Sequence, residues 1–280
     1  MKITITGGKG GTGKSTIATA LATELSKKNK ILLIDADVDC PNDDIILKIN
    51  LKKIKDVKTM IPKIDTNKCI KCGKCSQVCR ENALVFVKGK NPILIPEQCN
   101  GCKACKIVCP VNAISEKKQS IGEILQGNKK NLDLITGKIK PGVEESSLVI
   151  NEIKKYIKNK EKNYDYIIID TAAGTHCPVI AALLDSDLGI AVTEPTPLGN
   201  HDLNLILKLM EKLNINSKII LNRSDIANKS IIEKTSKKFN CEIISEIPYS
   251  KKIQQAYLKG KIIKHKEIEK IAKFIQKNKK

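Results

Sequence analysis

Eight of the eleven cysteines in this 280-residue chain stand in two copies of one spacing. Cys69, Cys72, Cys75 and Cys79 form C-x2-C-x2-C-x3-C; Cys99, Cys102, Cys105 and Cys109 repeat it, with Pro110 directly after. A cubane [4Fe–4S] cluster takes thiolate ligands, and a short loop with this spacing supplies three of them. In paired runs the fourth cysteine ligates the other cluster. The expected sets are therefore Cys69, Cys72 and Cys75 with Cys109, and Cys99, Cys102 and Cys105 with Cys79. Zinc sites use two separated ligand pairs, and neither run is built that way. A disulfide framework suits a short secreted chain rather than this one.

A second group of residues could bind phosphate. The stretch GGKGGTGKST, residues 7–16, holds Gly8, four residues, then Gly13-Lys14-Ser15, the pattern of a phosphate-binding loop. Its glycines let backbone amides turn inward onto phosphates, Lys14 reaches the outer phosphates, and the Ser15 hydroxyl can ligate Mg2+. The nucleotide is accordingly expected on Gly8, Lys9, Gly10, Gly11, Thr12, Gly13, Lys14, Ser15 and Thr16. Two apolar runs end in acids, Ile31–Asp35 and Tyr166–Asp170. Acids at the C-terminal ends of parallel strands face the ligand crevice of an open α/β sheet. Asp37 is expected to orient the attacking water or contact Mg2+, with Asp35 beside it. Some of Asp35, Asp37 and Asp39 are expected to cap the turn at Pro41-Asn42-Asp43.

These side chains need elements to hold them. Residues 2–6 alternate and are β-branched, so they read as a strand running into the loop. Ile17, Ala18, Leu21, Ala22 and Leu25 carry helical spacing over 15–28, which sets a helix N-terminus at the phosphates. Further buried strands read at 31–35, 166–170, 188–193 and 218–221. Helices read at 145–159, from about Gly199, and from about Lys261 with Ile268, Ile271 and Ile275 on one face. Between the cysteine runs, Ala83–Val87 and Ile93–Ile95 read as a hairpin around Gly89 and Asn91. The polar stretch 116–144 is punctuated by glycines and reads as a connector. The expected fold is α/β: a mostly parallel sheet with helices on both faces, residues 1–61 and 116–280, interrupted by a small α+β insert at 62–115. The insert follows the first acidic segment, where nucleotide-driven movement could reach the clusters.

The cysteine half resembles a bacterial-type two-cluster ferredoxin. The loop KGGTGKST, with its early lysine Lys9, resembles the deviant phosphate loop of the MinD/ParA superfamily, which includes the nitrogenase iron protein. That resemblance implies an ATP-bridged dimer in which Lys9 reaches the partner subunit's nucleotide. It implies that Asp35–Asp39 form the first switch. It also implies that Asp170 to Gly174 (D-x-x-x-G) is a Walker B element and second switch, with Asp170 holding Mg2+ through water and the Gly174 amide sensing the γ-phosphate. By the same resemblance Asn222, followed by Arg223, reads the adenine edge, and the loop at Ile247-Pro248-Tyr249 packs against the base. The stretch Thr193-Glu194-Pro195-Thr196-Pro197, with His201-Asp202, resembles superfamily members that carry a ferredoxin insert; His201 itself receives no role. Cys177 is spaced from Asp170 like the bridging-cluster cysteine of the nitrogenase iron protein. Neither it nor Cys40 is expected to hold a third cluster, and Cys241 reads as a small core residue.

Composition bounds the rest. The formal charge is +20, aromatic residues are 3% of the chain and arginine is scarce. A lysine-rich solvated surface explains that balance better than nucleic-acid binding, since single-strand recognition leans on stacking aromatics. Eleven cysteines with two cluster motifs imply a reducing compartment. No secretory signal and no membrane-spanning run are read, and the expected setting is the cytoplasm. The expected function is an ATP- and Mg2+-binding, slowly hydrolysing iron–sulfur protein that couples nucleotide state to electron transfer through two [4Fe–4S] clusters. The alternatives are an iron–sulfur assembly or carrier ATPase, similar to Mrp-type carriers, and a positioning ATPase on DNA or membrane. In the last, the basic C-terminal helix would touch lipid; docking of that helix on the domain is the stronger expectation.

Overall fold

The computed structural model describes residues 1–278. In chain order its elements are β1 (Lys2–Thr6), α1 (Lys14–Leu25), β2 (Ile31–Ala36), α2 (Asp43–Leu47), β3 (Lys52–Ile64), α3 (Lys74–Gln77), β4 (Leu84–Val85), β5 (Ile93–Leu94), α4 (Ala104–Ile107), β6 (Ile114–Lys129), β7 (Leu132–Ile139), α5 (Ser146–Ile157), β8 (Tyr166–Thr171), α6 (Cys177–Leu183), β9 (Leu188–Thr193), α7 (Pro197–Lys212), β10 (Ser217–Asn222), α8 (Ser230–Lys238), β11 (Ile243–Ile247), α9 (Lys251–Leu258) and α10 (Lys266–Lys277).

Strands β2, β8 and β9 are apolar runs buried at every residue, which suits central strands covered on both faces. Among the described residues, nine strands form one sheet in the order β11-β10-β9-β1-β8-β2-β7-β6-β3. From β11 through β7 neighbouring strands run parallel; β6 and β3 join antiparallel. Alternate residues feed opposite faces. Leu33 packs with α1 and α10 residues, whereas Leu32 and Ile34 pack with Val149, Ile153 and Ala182 of α5 and α6. The fold is thus a mostly parallel α/β sheet covered on both faces.

The stretch 116–144 is not a connector: most of it is β6 and β7. Its glycines, which suggest turns, mark close approaches instead. A Cβ on Gly122 would lie 2.5 Å from the Lys138 carbonyl oxygen, and one on Gly137 would lie 2.7 Å from Val38. β3 and β6 pair from Lys52↔Gln126 to Ile64↔Ile114, a long ribbon whose exposed residues are largely lysine. The bounds 62 and 115 fall inside these strands. Residues 65–113 sit at the ribbon's far end, closed by the Asp65 amide on the Ala113 carbonyl (2.7 Å). They contain α3, α4 and the two-stranded β4–β5 sheet around a small core of Cys75, Leu84, Cys105 and Ile114.

The last helix begins at Lys266 rather than near Lys261, because α9 and a turn at Gly260 precede it. Its apolar residues Ile268, Ile271 and Ile275 are buried in the core that α1 shares. No helix among the described residues is long and apolar enough to cross a membrane.

Candidate functional site

The loop between β1 and α1 wraps the start of α1. Gly11 (φ 79°) and Gly13 (φ 95°) take left-handed conformations that disfavour a side chain. A Cβ on Gly10 or Gly11 would meet nothing within 4 Å, whereas one on Gly13 would lie 2.6 Å from Asn222 Nδ2. The outer side of the loop is therefore open and its inner side is locked. That open side belongs to a cleft of about 1210 Å³. Gly10, Gly11, Gly13, Lys14, Ser15, Thr16, Asp37, Asn222, Arg223 and Pro248 line it, all candidates from the sequence. Asn42, Ala173, Ser250, Ile253 and Gln254 line it too and were not expected at the nucleotide; α9, which contributes the last two, was not read from the sequence. Gly8, Lys9 and Thr12 face away, toward a small cavity shared with Thr193 and Asp202.

Lys14 is buried, and its Nζ donates to the Lys9 carbonyl at 3.0 Å. Burial lowers its pKa from the usual ammonium value, opposed by the charges of Asp170 and Asp37. Ser15 hydrogen-bonds Asp170, so the expected Mg2+ ligands lie side by side at the C-terminal end of β8. Asp37 is half-buried in the cleft; burial raises its pKa, and Lys14 opposes the rise. Asp35 does the capping: its carboxylate accepts the amides of Asp37, Asn42 and Asp43 at 3.0–3.2 Å. Asp43 is fully buried against this group and was not anticipated, since two adjacent acids at a helix start suggest a solvated cap.

Three residues given roles by the family resemblance have partners within the chain in this nucleotide-free state. The Lys9 Nζ lies 3.5 Å from Glu194, which also pairs with Arg223. The Gly174 amide donates to the Gly7 carbonyl at 3.2 Å. The Asn222 Nδ2 donates to the Thr12 carbonyl at 2.7 Å and Oδ1 accepts the Arg223 amide, which ties β10 to the loop.

At the far end of the ribbon the cysteines sort into two cavities. One is lined by Cys79, Cys99, Cys102 and Cys105; the other by Cys69, Cys72, Cys75 and Cys109. Each cavity takes three thiols from one run and the fourth from the other. All eight cysteines are free of disulfides. The αL turns at Lys71, Gly73, Gly101 and Lys103 fold each run back on itself so that its thiols converge. Four thiols around one small apolar cavity fit a cubane cluster. Burial pushes the Cys105 thiol up to about 11; bound iron would hold it as thiolate, since a metal deprotonates the thiol it binds. Cys40 and Cys177 are exposed and Cys241 is buried.

A glycine-rich loop between a strand and a helix, facing acids on neighbouring parallel strands, defines a P-loop nucleotide-binding protein. Residues 3–263 match the CobQ/CobB/MinD/ParA nucleotide binding domain, and the chain belongs to that family. It is 40% identical over 287 residues to the uncharacterized protein MJ0579 of Methanocaldococcus jannaschii, covering 98% of this chain and 97% of that one. The fold is similar to that of the septum site-determining protein MinD of Pyrococcus horikoshii complexed with Mg-ADP, with a TM-score of 0.62, 19% identity, and coverage of 99% of this chain and 96% of that one. Over 54 residues, 18% of this chain and 70% of the relative, the sequence is 43% identical to an uncharacterized ferredoxin of M. jannaschii, MJ0722.

Proposed function

We propose that this chain is an ATP- and Mg2+-dependent iron–sulfur protein in which nucleotide state controls electron transfer through two [4Fe–4S] clusters. The observation that carries the proposal is the sorting of eight cysteines into two crossed sets of four, each around its own cavity. That arrangement sits on a strand ribbon continuous with the sheet that holds the phosphate loop. The short ferredoxin match supports the iron–sulfur assignment, and the family match supports the nucleotide.

In this reading the amides of Gly10 to Gly13 receive the phosphates. Lys14 leaves the Lys9 carbonyl for the outer phosphates, and Ser15, Asp170 and Asp37 hold Mg2+. Asp37 orients the attacking water. Hydrolysis rests on positioning and on charge stabilisation by Lys14 and Lys9. The closed state is a homodimer: Lys9 leaves Glu194 and reaches the partner's nucleotide, and Gly174 turns its amide from Gly7 to the γ-phosphate. Arg223 and Pro248 flank the base, and Asn222 keeps one amide hydrogen for it. Bound clusters supply one-electron chemistry, and the cysteine cavities hold them. Four thiols per cavity favour retention over the cluster transfer of an assembly carrier, and the buried apolar face of α10 argues against a lipid-binding tail.

The test is anaerobic. Iron and sulfide are counted per chain, and cluster potentials are titrated by EPR without nucleotide, with MgADP and with MgATP. About eight iron atoms and a potential that moves with nucleotide are expected. Iron well below that, or potentials and partner docking that both ignore nucleotide, would overturn the proposal.

A further inference from the structure

Beneath the phosphate loop lies a group of buried acids of which the proposed nucleotide chemistry uses Asp170 alone. Asp35, Asp43 and Asp170 each offer a carboxylate oxygen, and these oxygens lie within 4.8 Å of one another. All three residues are buried, Asp43 to 0% exposure. Neither carboxylate oxygen of Asp43 has a hydrogen-bond partner, and Oδ1 of Asp170 has none. Asp35, by contrast, is held by three backbone amides, which oppose the rise in pKa that its burial causes. The nearby cation is Lys14, whose amine is bonded to the Lys9 carbonyl, and Asp37 and Asp44 add negative charge to the surroundings.

Buried carboxylates without hydrogen bonds are strongly disfavoured unless they are paired, bind a metal or take up a proton. The spacing decides which ligand fits. Oxygens on opposite sides of one cation are separated by about twice the bond length, roughly 4.2 Å for Mg2+ and 4.8 Å for Ca2+. The three oxygens, all within 4.8 Å of one another, are close enough to share one such cation. An all-oxygen donor set selects Mg2+, Ca2+ or Mn2+ over softer metals.

We propose that Asp35, Asp43 and Asp170 bind a divalent cation directly and without nucleotide, on the inner side of Asp170 from the Ser15-bound Mg2+. Asp43 supplies two unshared oxygens and is the residue that makes this site. Asp170 faces both positions, so it would link the inner ion to the nucleotide's Mg2+. The inference rests on the acids alone, independently of the clusters and of ATP.

The probe is Mn2+, titrated into the full-length, nucleotide-free protein with its clusters oxidised, and read by loss of the free-ion EPR signal. About one Mn2+ per chain is expected. Asp43→Asn should weaken its binding at least tenfold, while Asp44→Asn, a neighbouring acid outside the trio, should leave it within twofold. No binding by the wild type, or equal binding by Asp43→Asn, would overturn the proposal and leave shared protons on the buried oxygens. Should Asp43→Asn fail to fold, the wild type still decides. Line broadening in 17O-water counts the water ligands on bound Mn2+. Three or fewer fit an ion held by three carboxylates, and five or six would mean a surface ion and refute the site.

Discussion

Glu194→Gln should tighten the ATP-dependent dimer. Glu194 is buried, and its carboxylate holds both Arg223 and Lys9. Lys9 is the residue proposed to reach the partner subunit, so each protomer must break its Lys9–Glu194 pair before closing. At the observed 3.5 Å, and with an effective dielectric constant of about 20, the Coulomb energy is near 5 kcal/mol. Lys9 is about a third exposed and loses side-chain entropy when held, so the net value falls to about 1 kcal/mol. Two protomers each release one pair, giving about 2 kcal/mol per dimer, or roughly 30-fold in Kd. Sedimentation velocity with saturating MgATP measures that constant. Arg223→Gln reports what loss of the other partner does and corrects for it. An unchanged or weaker Glu194→Gln dimer, with nucleotide affinity intact, would show that the pair does not restrain Lys9. Normal dimers from Lys9→Ala would remove the role given to Lys9 altogether.

Two further outcomes follow from local geometry. Gly101 has φ +77°, and a Cβ there would lie 2.6 Å from Thr59 Oγ1 and 2.8 Å from the Met60 carbonyl oxygen; Gly101→Ala should lower iron from about eight to about four per chain with nucleotide binding intact. Gly89→Ala, equally left-handed but in open space, should keep all of it, and matched losses would mean that backbone strain rather than the ribbon contact decides. Burial lowers the Lys154 pKa to about 8, so the unfolded chain holds its proton between about pH 8 and 10.5 and wild-type stability should rise with pH through that window. Lys154→Met should gain about 1 kcal/mol at pH 7, below the ceiling near 3 kcal/mol because the amine is partly solvated; urea melts at pH 7 and 10.5 check both the gain and its disappearance.

What the sequence made legible was local. β1 alternates β-branched residues, β2, β8, β9 and β10 carry apolar runs, and the phosphate loop and cysteine spacings fix their own turns within ten residues. The crossing of Cys79 and Cys109 was legible for the same reason, since the run's fourth position is offset from its other three. The ribbon was not. β3 and β6 are amphipathic at best, with lysines on both sides, and their identity comes from pairing with each other. Gly122 and Gly137 look like turns because a sequence does not show that Lys138 and Val38 lie against them. Asp43 and Glu194 are surface residue types buried only by tertiary packing.

The ribbon changes how the two ends of the molecule must be linked. Attachment through a flexible connector would let the cysteine segment move independently of the nucleotide. Here the Val38 carbonyl, one residue beyond Asp37, accepts the amide of Ile139 at the end of β7 (3.0 Å). Asp39 accepts the Ser146 hydroxyl at the start of α5 (2.8 and 2.9 Å), and Val38 packs against Gly137. β7 is paired along its length with β6, and β6 continues without a break from Lys129 to Ile114, beside Ala113 and the loop that holds Cys109. A shift of the first acidic segment must therefore either break the Ile139 bond or carry β7 with it. If β7 moves, β6 moves in register, because slipping by one residue would turn its buried face outward. The path from phosphate to cysteine is thus a stiff strand pair, and a nucleotide-driven movement would arrive at the clusters as a small displacement of both loops together.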